Sequence, residues 1–415
     1  METINRGITM AVYQVIIIGG GAAGLLCSLR LAQAGIKDIL ILERNERLGR
    51  KLSATGNGQG NITNKDMGPH RYFSSDIGMV ARILQAFNER DLVKYLTDLG
   101  GYFVSDGEGK IYPASKQASS VTDIFRFAIE RENISVKTGE YVRSVKKDNN
   151  IFRILTESDC YKAQAVVIAT GGKASPHFGT DGNGYTLAKE FGHTLTSLKP
   201  ALVQLKTEKE NLKGLKGVRI DCRVKLIRGK EIYSCRGDVI FTDYGVTGNA
   251  VFKISSRAES QDILSLDFLP DCEKDTLISV LERKILRYPD LKPEDFLRCI
   301  INSAAARAVV RSIESEQGMQ KIDLRRSISM IADRIKDYRL RVVGNMGFEN
   351  AQVTKGGIPM NEVDEGLMSV KIPGLFFAGE ILDVDGECGG YNLQWAFASG
   401  ACCAKKIVEY VNDNK

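Results

Sequence analysis

Histidine is nearly missing from this chain: its 415 residues hold only His70, His177 and His193. A His-rich metal site is therefore not expected, and a Ser-His-Asp hydrolase has few candidates to draw on. The nine cysteines (27, 160, 222, 235, 272, 299, 388, 402, 403) are scattered, and no C-x-x-C occurs. That argues against a thiol–disulfide centre and a zinc ribbon; they read as small buried hydrophobes of a reducing, cytoplasmic protein. Long apolar runs are missing too. Residues 12–18 are too few to span a bilayer, and the glycines at 19–21 end the run. A signal-peptide reading fails because Glu2 accompanies Arg6 ahead of the run, and the residues after it complete a nucleotide fingerprint. No lysine- or arginine-rich block stands out, and a net charge of +6 is small for this length. The surface therefore reads as solvated and slightly basic, not as a nucleic-acid patch. With 43% hydrophobic and 26% charged residues, the composition is that of a globular protein long enough for two or three domains. No repeat or low-complexity tract occurs.

What is present is a nucleotide-binding pattern. Residues 15–24 read VIIIGGGAAG, an apolar strand breaking into G-x-G-x-x-G, and residues 39–43 read ILILE. Strand, glycine turn, helix, second strand and terminal acid in that order describe a site for the ADP half of FAD or NAD. Gly19 lets the chain turn tightly, Gly21 has no side chain to hold a pyrophosphate away, and Gly24 lets the helix pack closely on the strand. The helix is expected over 22–34 with Gly35 as its stop. Its N-terminus, at Ala22, offers unpaired N–H groups and partial positive charge to the phosphates. Glu43 ends the second strand about 20 residues after the last glycine, where a carboxylate accepts from both ribose hydroxyls. A lone G-x-G-x-x-G is weak evidence; the flanking elements make it specific against a plain structural turn.

The first domain opens at about Ala11. Residues 44–64 read as a long loop, 76–99 and 121–131 as helical, and 102–113 as a hairpin. Short strands are expected at 134–136, 141–147, 151–156 and 161–169. From about Leu195 the texture changes: 203–206, 218–227, 231–233 and 239–242 look like antiparallel strands. Residues 271–338 look helical, with helical apolar spacing at 301–313 and 328–335. Glycines return from 352, followed by an apolar strand at 374–378 and a final helix at 391–411. Gly379 and Glu380 follow that strand, and Gly389-Gly390-Tyr391-Asn392 opens the helix. A helix starting at Tyr391 would point its N-terminus at the pyrimidine edge of a flavin, where the reduced ring is negative. Both termini would then build one FAD domain, with the middle inserted over the flavin face. A plain helix cap is the other reading of 386–392.

These motifs, with GRKLSATGNGQGNITN (49–64), AVVIATGGKASPHFGTDGNGYTLAKEFGH (165–193), GDVIFTDYGVTGNAV (237–251), VTKGGIP (353–359) and GLFFAGEILDVDGECGGYNLQWAFASG (374–400), run nearly end to end. The chain resembles the YhiN/BaiN-like flavoproteins, a branch of the glutathione-reductase-like FAD oxidoreductases. The resemblance implies an α/β fold class: a Rossmann-like FAD-binding domain (11–195 and 353–415), an inserted antiparallel β domain (196–270 and 339–352) and a nested helical domain (271–338). It implies that Gly19, Gly21, Ala22, Ala23 and Gly24 sit on the pyrophosphate. Glu43 would hold the adenosine ribose, with Arg44 beside it. Gly49, Lys51 and the loop residues Asn61 and Thr63 would pass close to the cofactor. Val142 would meet the adenine through its backbone, bordered by Thr170 and Gly171. Glu380, after Gly379, would reach the ribityl chain, and Gly390, Asn392 and Leu393 would contact the isoalloxazine through backbone groups. One departure stands out. The family pattern G-x-G-[RK]-C-N-x-T-N has Gln59 for the basic residue and Gly60 for the cysteine, which removes a charge and leaves room.

Flavin carries the redox chemistry, so no protein nucleophile is required. The resemblance implies NAD(P)H-linked reduction of a conjugated C=C bond in a 3-oxo bile-acid-like or other apolar ring substrate. Oxidation of a small amine such as aminoacetone is a second reading; a non-catalytic or RNA-modification-related FAD module is a third. No second G-x-G-x-x-G with a following acid or arginine is found, so NAD(P)H would visit the flavin transiently. The expected partner is a small-molecule substrate, without nucleic acid, membrane or metal. Several side chains have two readings. Cys388 reads as a redox or covalent-flavin group or as a packed small residue, and Tyr391 as a proton donor or a cap. His177 and His193 read as titrating or structural. Asp383 and Asp385 read as paired carboxylates or as loop residues satisfying backbone N–H groups. Trp395 reads as core. No catalytic residue is assigned.

Overall fold

The computed structural model describes residues 12–318 and 322–414. The expected domain start at Ala11, with Glu2 and Arg6 before it, lies outside them. The chain divides into two compact units, one built from residues up to Lys199 and from Val353 onward, the other from Pro200–Gln352.

The first unit is assembled on strands β1 (Val12–Ile18), β2 (Ile39–Glu43), β3 (Thr63–Asn64), β4 (Tyr72–Ser74), β5 (Phe103–Ser105), β6 (Lys110–Pro113), β7 (Ser135–Thr138), β8 (Val142–Asp148), β9 (Ile151–Thr156) and β10 (Cys160–Ile168). Helices α1 (Ala22–Gln33), α2 (Ile77–Ala86), α3 (Glu89–Asp98), α4 (Ala118–Arg131) and α5 (Asn183–Glu190) are threaded between them. The main sheet runs β7-β2-β1-β10-β9-β8. β1 pairs in parallel with both β2 and β10, so Ile17 lies beside Ile41 and Val167. The strand Leu375–Phe377 adds in parallel to the far end of β10, Val167 beside Phe376. Residues 15–18 and 39–42 are buried along their whole length, as continuous apolar strands of a doubly covered parallel sheet must be. The final helix, Tyr391–Asp413, packs along α1, and Phe397 stacks on Phe125 with ring centroids 5.6 Å apart.

Two local features depart from the sequence expectations for physical reasons. The helical stretch at 76–99 is two helices. Asn88 breaks it by accepting the N–H groups of Arg90 and Asp91, while Asp91 accepts the N–H of Asn88, a capping box that starts α3 afresh. The stretch at 44–64 contains a tight turn, Leu52–Gly58, before β3.

The second unit is a closed antiparallel barrel in the order Leu205–Thr207, Gly245–Thr247, Glu231–Phe241, Arg219–Arg228, Ile263–Asp267, Tyr338–Asn345. Glu231–Phe241 is one continuous strand where two short ones were expected, because it pairs along its whole length with Arg219–Arg228. Alternation sends Cys222, Val224 and Leu226 inward. Helices Lys274–Arg287, Pro293–Phe296, Ser303–Gln317 and Ile328–Lys336 share one apolar cluster with the barrel strands.

Helix-on-helix closeness in the first unit depends on glycine. A Cβ at Gly400 of the final helix would stand 2.4 Å from the Ala23 carbonyl oxygen. Gly400→Val is expected to lower stability by about 1–3 kcal/mol through overpacking. Gly35→Ala, at φ +90° in open space, is expected to cost only about 1 kcal/mol of backbone strain. Urea unfolding midpoints of the two variants check the order.

Candidate cofactor and redox site

β1 ends in the glycine turn because nothing else fits there. At Gly19 (φ +109°) a Cβ would lie 2.5 Å from the Ala169 carbonyl oxygen, and at Gly24 one would lie 2.1 Å from the Gly19 carbonyl oxygen. Gly21 is different: a Cβ there meets nothing within 4 Å. It is also the N-cap of α1, and no side chain caps the first-turn N–H groups there. This is the geometry of an anion cradle.

Glu43 stands at the end of β2, buried, and three donors orient it. Gly20 N–H reaches Oε2 at 2.8 Å, and Asn45 supplies its N–H and Nδ2 to Oε1, both at 2.8 Å. A carboxylate has about four acceptor sites, so capacity remains for ribose hydroxyls. Arg44 pairs with Asp181 at 2.7 Å and lies over the Tyr141 ring at 4.7 Å. The Val142 carbonyl accepts Asn183 Nδ2 at 2.8 Å. These contacts surround the end of β2.

A second group of contacts joins segments far apart in sequence. Lys51 Nζ and Glu380 Oε2 form an ion pair at 2.8 Å, and Glu380 Oε1 accepts the Thr354 N–H at 2.8 Å. Buried Thr354 in turn accepts the N–H groups of Lys173 and Ala174 on Oγ1, which fixes the turn after Thr170 and Gly171. Gly379 (φ +81°) sits against Ala23 and accepts the Trp395 indole N–H at 3.2 Å. Gly390 (φ +96°) caps the final helix, and a Cβ there would stand 2.6 Å from the Thr63 carbonyl oxygen. Thr63 Oγ1 donates to Gln394 Oε1 at 2.8 Å. The Asn392 side chain is used to tie down the loop, since it exchanges two hydrogen bonds of 2.8 Å with Gly386. Its backbone N–H and that of Leu393 belong to a helix start without a side-chain cap.

Two buried oxygens near these glycines have no partner: Asn61 Oδ1 and Thr170 Oγ1. Unsatisfied buried polar atoms are costly and point to a bound group. Together with the cradle at Gly21, they fit a dinucleotide that runs from Glu43 to the start of the final helix. Gly49 closes the turn by donating its N–H to the Gly20 carbonyl at 2.8 Å.

The replaced pair in the 58–64 loop has a steric cause. Gly60 (φ +75°) packs so closely on α4 that a Cβ would stand 2.8 Å from the Ala118 Cα, so no thiol fits without moving that helix. Gln59 is exposed. Asn45, Thr354 and Gln394 escaped the sequence reading. Thr354 lies within the quoted VTKGGIP stretch, and Asn45 is two residues past the acid.

The two-way readings separate as follows. Trp395 is buried core. The Tyr391 ring packs edge-on against Tyr72 at 6.1 Å, under the Arg71 guanidinium at 5.7 Å, and burial pushes its phenol up; this is packing. His177 is exposed on a turn. His193 is buried and structural: Nδ1 lies 2.7 Å from Glu362 Oε2 and Nε2 lies 2.8 Å from Ser369 Oγ. Ser369 Oγ already accepts two N–H groups, so it donates to Nε2, leaving Nδ1–H for Glu362. Burial holds this imidazole below its ordinary value. Burial also pushes the Glu362 carboxyl up, but Thr194, Lys371 and His193 outweigh it and hold the group at about 2. Asp385 is buried and Asp383 half-buried. Among the described residues no helix is long and apolar enough to cross a membrane, and no cluster fit for a metal ion is found.

A parallel sheet whose first strand ends in a glycine turn at an uncapped helix N-terminus is the Rossmann arrangement of a dinucleotide-binding protein. The family model described as "HI0933-like protein Rossmann domain" matches residues 13–406, and the chain belongs to that family of FAD-binding proteins. It is a flavin-dependent oxidoreductase. It is 34% identical over 403 residues to the 3-dehydro-bile acid delta(4,6)-reductase of Clostridium scindens, covering 95% of this chain and 98% of the relative. It is 29% identical over 408 residues to the ribosomal RNA dihydrouridine synthase of Escherichia coli, covering 95% and 98%. Among solved structures, the 3-ketosteroid-delta4-(5alpha)-dehydrogenase of Rhodococcus jostii RHA1 shares the fold, with a TM-score of 0.53 at 15% identity over 98% of this chain and 99% of that one.

Two measurements check this site. Gly21→Val is expected to leave the unfolding midpoint unchanged, because its side chain enters open space, while FAD affinity falls at least about 100-fold. Equilibrium dialysis reads the affinity. Separately, stability is expected to fall with acid. Folded His193 resists the proton that the unfolded chain takes at about 6.5, so stability drops below that pH, and a second loss follows between 4.5 and about 2 as Glu362 protonates. Urea unfolding across pH shows both steps, and His193→Gln removes the first.

Proposed function

We propose that the protein reduces a conjugated carbon–carbon double bond in a 3-oxo bile-acid-like or other apolar ring substrate, drawing electrons from NAD(P)H that visits the flavin transiently. The observation that carries this reading is the 34% identity to the bile acid reductase across nearly the full length of both chains. Bound FAD supplies two-electron hydride chemistry. The chain's own residues do the rest. The turn at Gly19–Gly24 holds the diphosphate by backbone N–H groups, and Glu43 takes the ribose. Lys51, Glu380 and Thr354 form one wall beside the ribityl chain. The uncapped start of the final helix offsets the negative charge that reduction adds to the ring.

A ribosomal RNA substrate is the second reading, favoured by the 29% identity to the dihydrouridine synthase. The two share one chemistry, because dihydrouridine arises by saturating a uracil double bond conjugated to a carbonyl. The net charge of +6 without a basic block makes a small substrate the first choice. Amine oxidation is the third.

The test is product analysis with FAD-loaded protein and no oxygen. NADH or NADPH is expected to bleach the flavin, and a 3-oxo-Δ4 bile acid to restore its colour and leave as the saturated ketone. Dihydrouridine in ribosomal RNA fragments, with the bile acid untouched, overturns the first reading for the second. Hydrogen peroxide from aminoacetone in air overturns both. No bleaching by either nicotinamide removes NAD(P)H as donor.

A further inference from the structure

Two acids of the first unit are buried among the described residues, Glu43 and Asp385, and they are treated in opposite ways. Glu43 accepts three N–H donors. Asp385, 2% exposed, has no such donors among the described residues, and the nearest compensating charge is the Lys355 ammonium. Burial without amide donors disfavours the charged form relative to the neutral acid. The reading of Asp385 as a loop residue holding backbone N–H groups therefore does not apply.

Its position is fixed by three elements. Asp385 lies in the strand Val384–Gly386, paired antiparallel with β4 so that it stands directly opposite Phe73. Residues opposed in this way share a face. Lys355 Nζ lies over the Phe73 ring at 5.3 Å, bringing the ammonium to that face from the strand Val353–Lys355. The next residue, Gly386, is locked to Asn392 in the first turn of the final helix. The charged groups that act on it are Lys355 from one side and Asp383 and Glu380 from its own segment. Glu380 is already paired with Lys51. Burial raises the Asp385 carboxyl most; Lys355 opposes this, Asp383 and Glu380 add to it, and the group rests at about 7.

We propose that Asp385 is the proton store of the redox site: it takes up a proton when the bound cofactor is reduced and releases it when the cofactor is reoxidised. The inference rests on the ring lying at the start of the final helix. Reduction by a nicotinamide donor brings two electrons and one proton as hydride and leaves negative charge on the ring. That charge raises the proton affinity of the nearby carboxylate, which takes its proton from water and forms an O–H bond. Reoxidation by the conjugated substrate places hydride on one carbon of the double bond. The O–H bond of Asp385 then breaks, and its proton is available for the other carbon. Electrons and protons balance, with the nicotinamide as reductant and the substrate as oxidant.

Below about 7 Asp385 is protonated in both redox states and adds nothing. Above about 7 it is ionised in the oxidised protein and protonated in the reduced one, so reduction takes up one proton more per electron pair. The flavin midpoint potential is expected to fall more steeply with pH above about 7 in the wild type than in Asp385→Asn. Should the variant fail to fold, the wild type alone suffices. Infrared titration of the FAD-loaded protein is expected to show a protonated carboxyl band that disappears on going from about pH 6 to about pH 8.5, and that returns at the higher pH on reduction. Equal slopes in wild type and Asp385→Asn, or a carboxyl ionised throughout the range, overturn the proposal. A wild-type preparation that binds no FAD overturns the site itself, and is seen before any titration begins.

Discussion

The backbone of Gly390 approaches the Thr63 carbonyl so closely that no side chain fits between them, and this contact holds together two halves of a site more than 300 residues apart in sequence. The Lys51–Glu380 pair and the Thr63–Gln394 hydrogen bond reinforce the same seam. Because Leu375–Phe377 runs in parallel beside β10, which itself runs beside β1, the carboxyl ends of all three strands open on one edge. Ligands of open α/β sheets bind at such edges. In the proposed reading the glycine cradle after β1 and the uncapped helix after Gly390 hold the two ends of one dinucleotide.

Electrostatics divides the groove by task. At Gly21 the chain presents an uncapped helix N-terminus and no side chain of its own, which suits a diphosphate. At the two ends stand acids whose charge is already compensated, Glu43 by amide donors and Glu380 by Lys51. Such acids keep acceptor capacity for hydroxyls. Asp385 alone among the buried acids of this unit lacks that compensation. The contrast ties the static architecture to the one event in a flavin cycle that changes charge, the arrival of an electron pair on the ring.

The framework of the first unit was legible because its physics is local. Unbroken apolar runs at 15–18 and 39–42 permit only doubly covered strands, and glycines with forbidden Cβ positions mark the turns. The family motifs were equally legible, since they quote the chain at the seams. What local pattern could not disclose was which partners meet. Nothing near Thr354 announces that it will hold both Glu380 and the Lys173–Ala174 turn, 26 and about 180 residues away. Nor does the sequence at 383–385 announce that Asp385 is buried while Asp383 stays half-exposed. The helix break at Asn88 was local and readable, yet the apolar period across it concealed the cap. Burial and hydrogen bonding across long sequence distance decide these residues, and neither has a sequence period.

The account stands on one dinucleotide lying along the groove with its diphosphate at the glycine cradle and its ring at the carboxyl-terminal helix. A crystal structure of the FAD-reconstituted protein tests this most directly. The account predicts density for the diphosphate over Gly21 and Ala22, ribose hydroxyls on Glu43, and the ring edge against the N–H groups of Asn392 and Leu393. Density for FAD elsewhere, or a groove filled by the chain's own side chains, would contradict it.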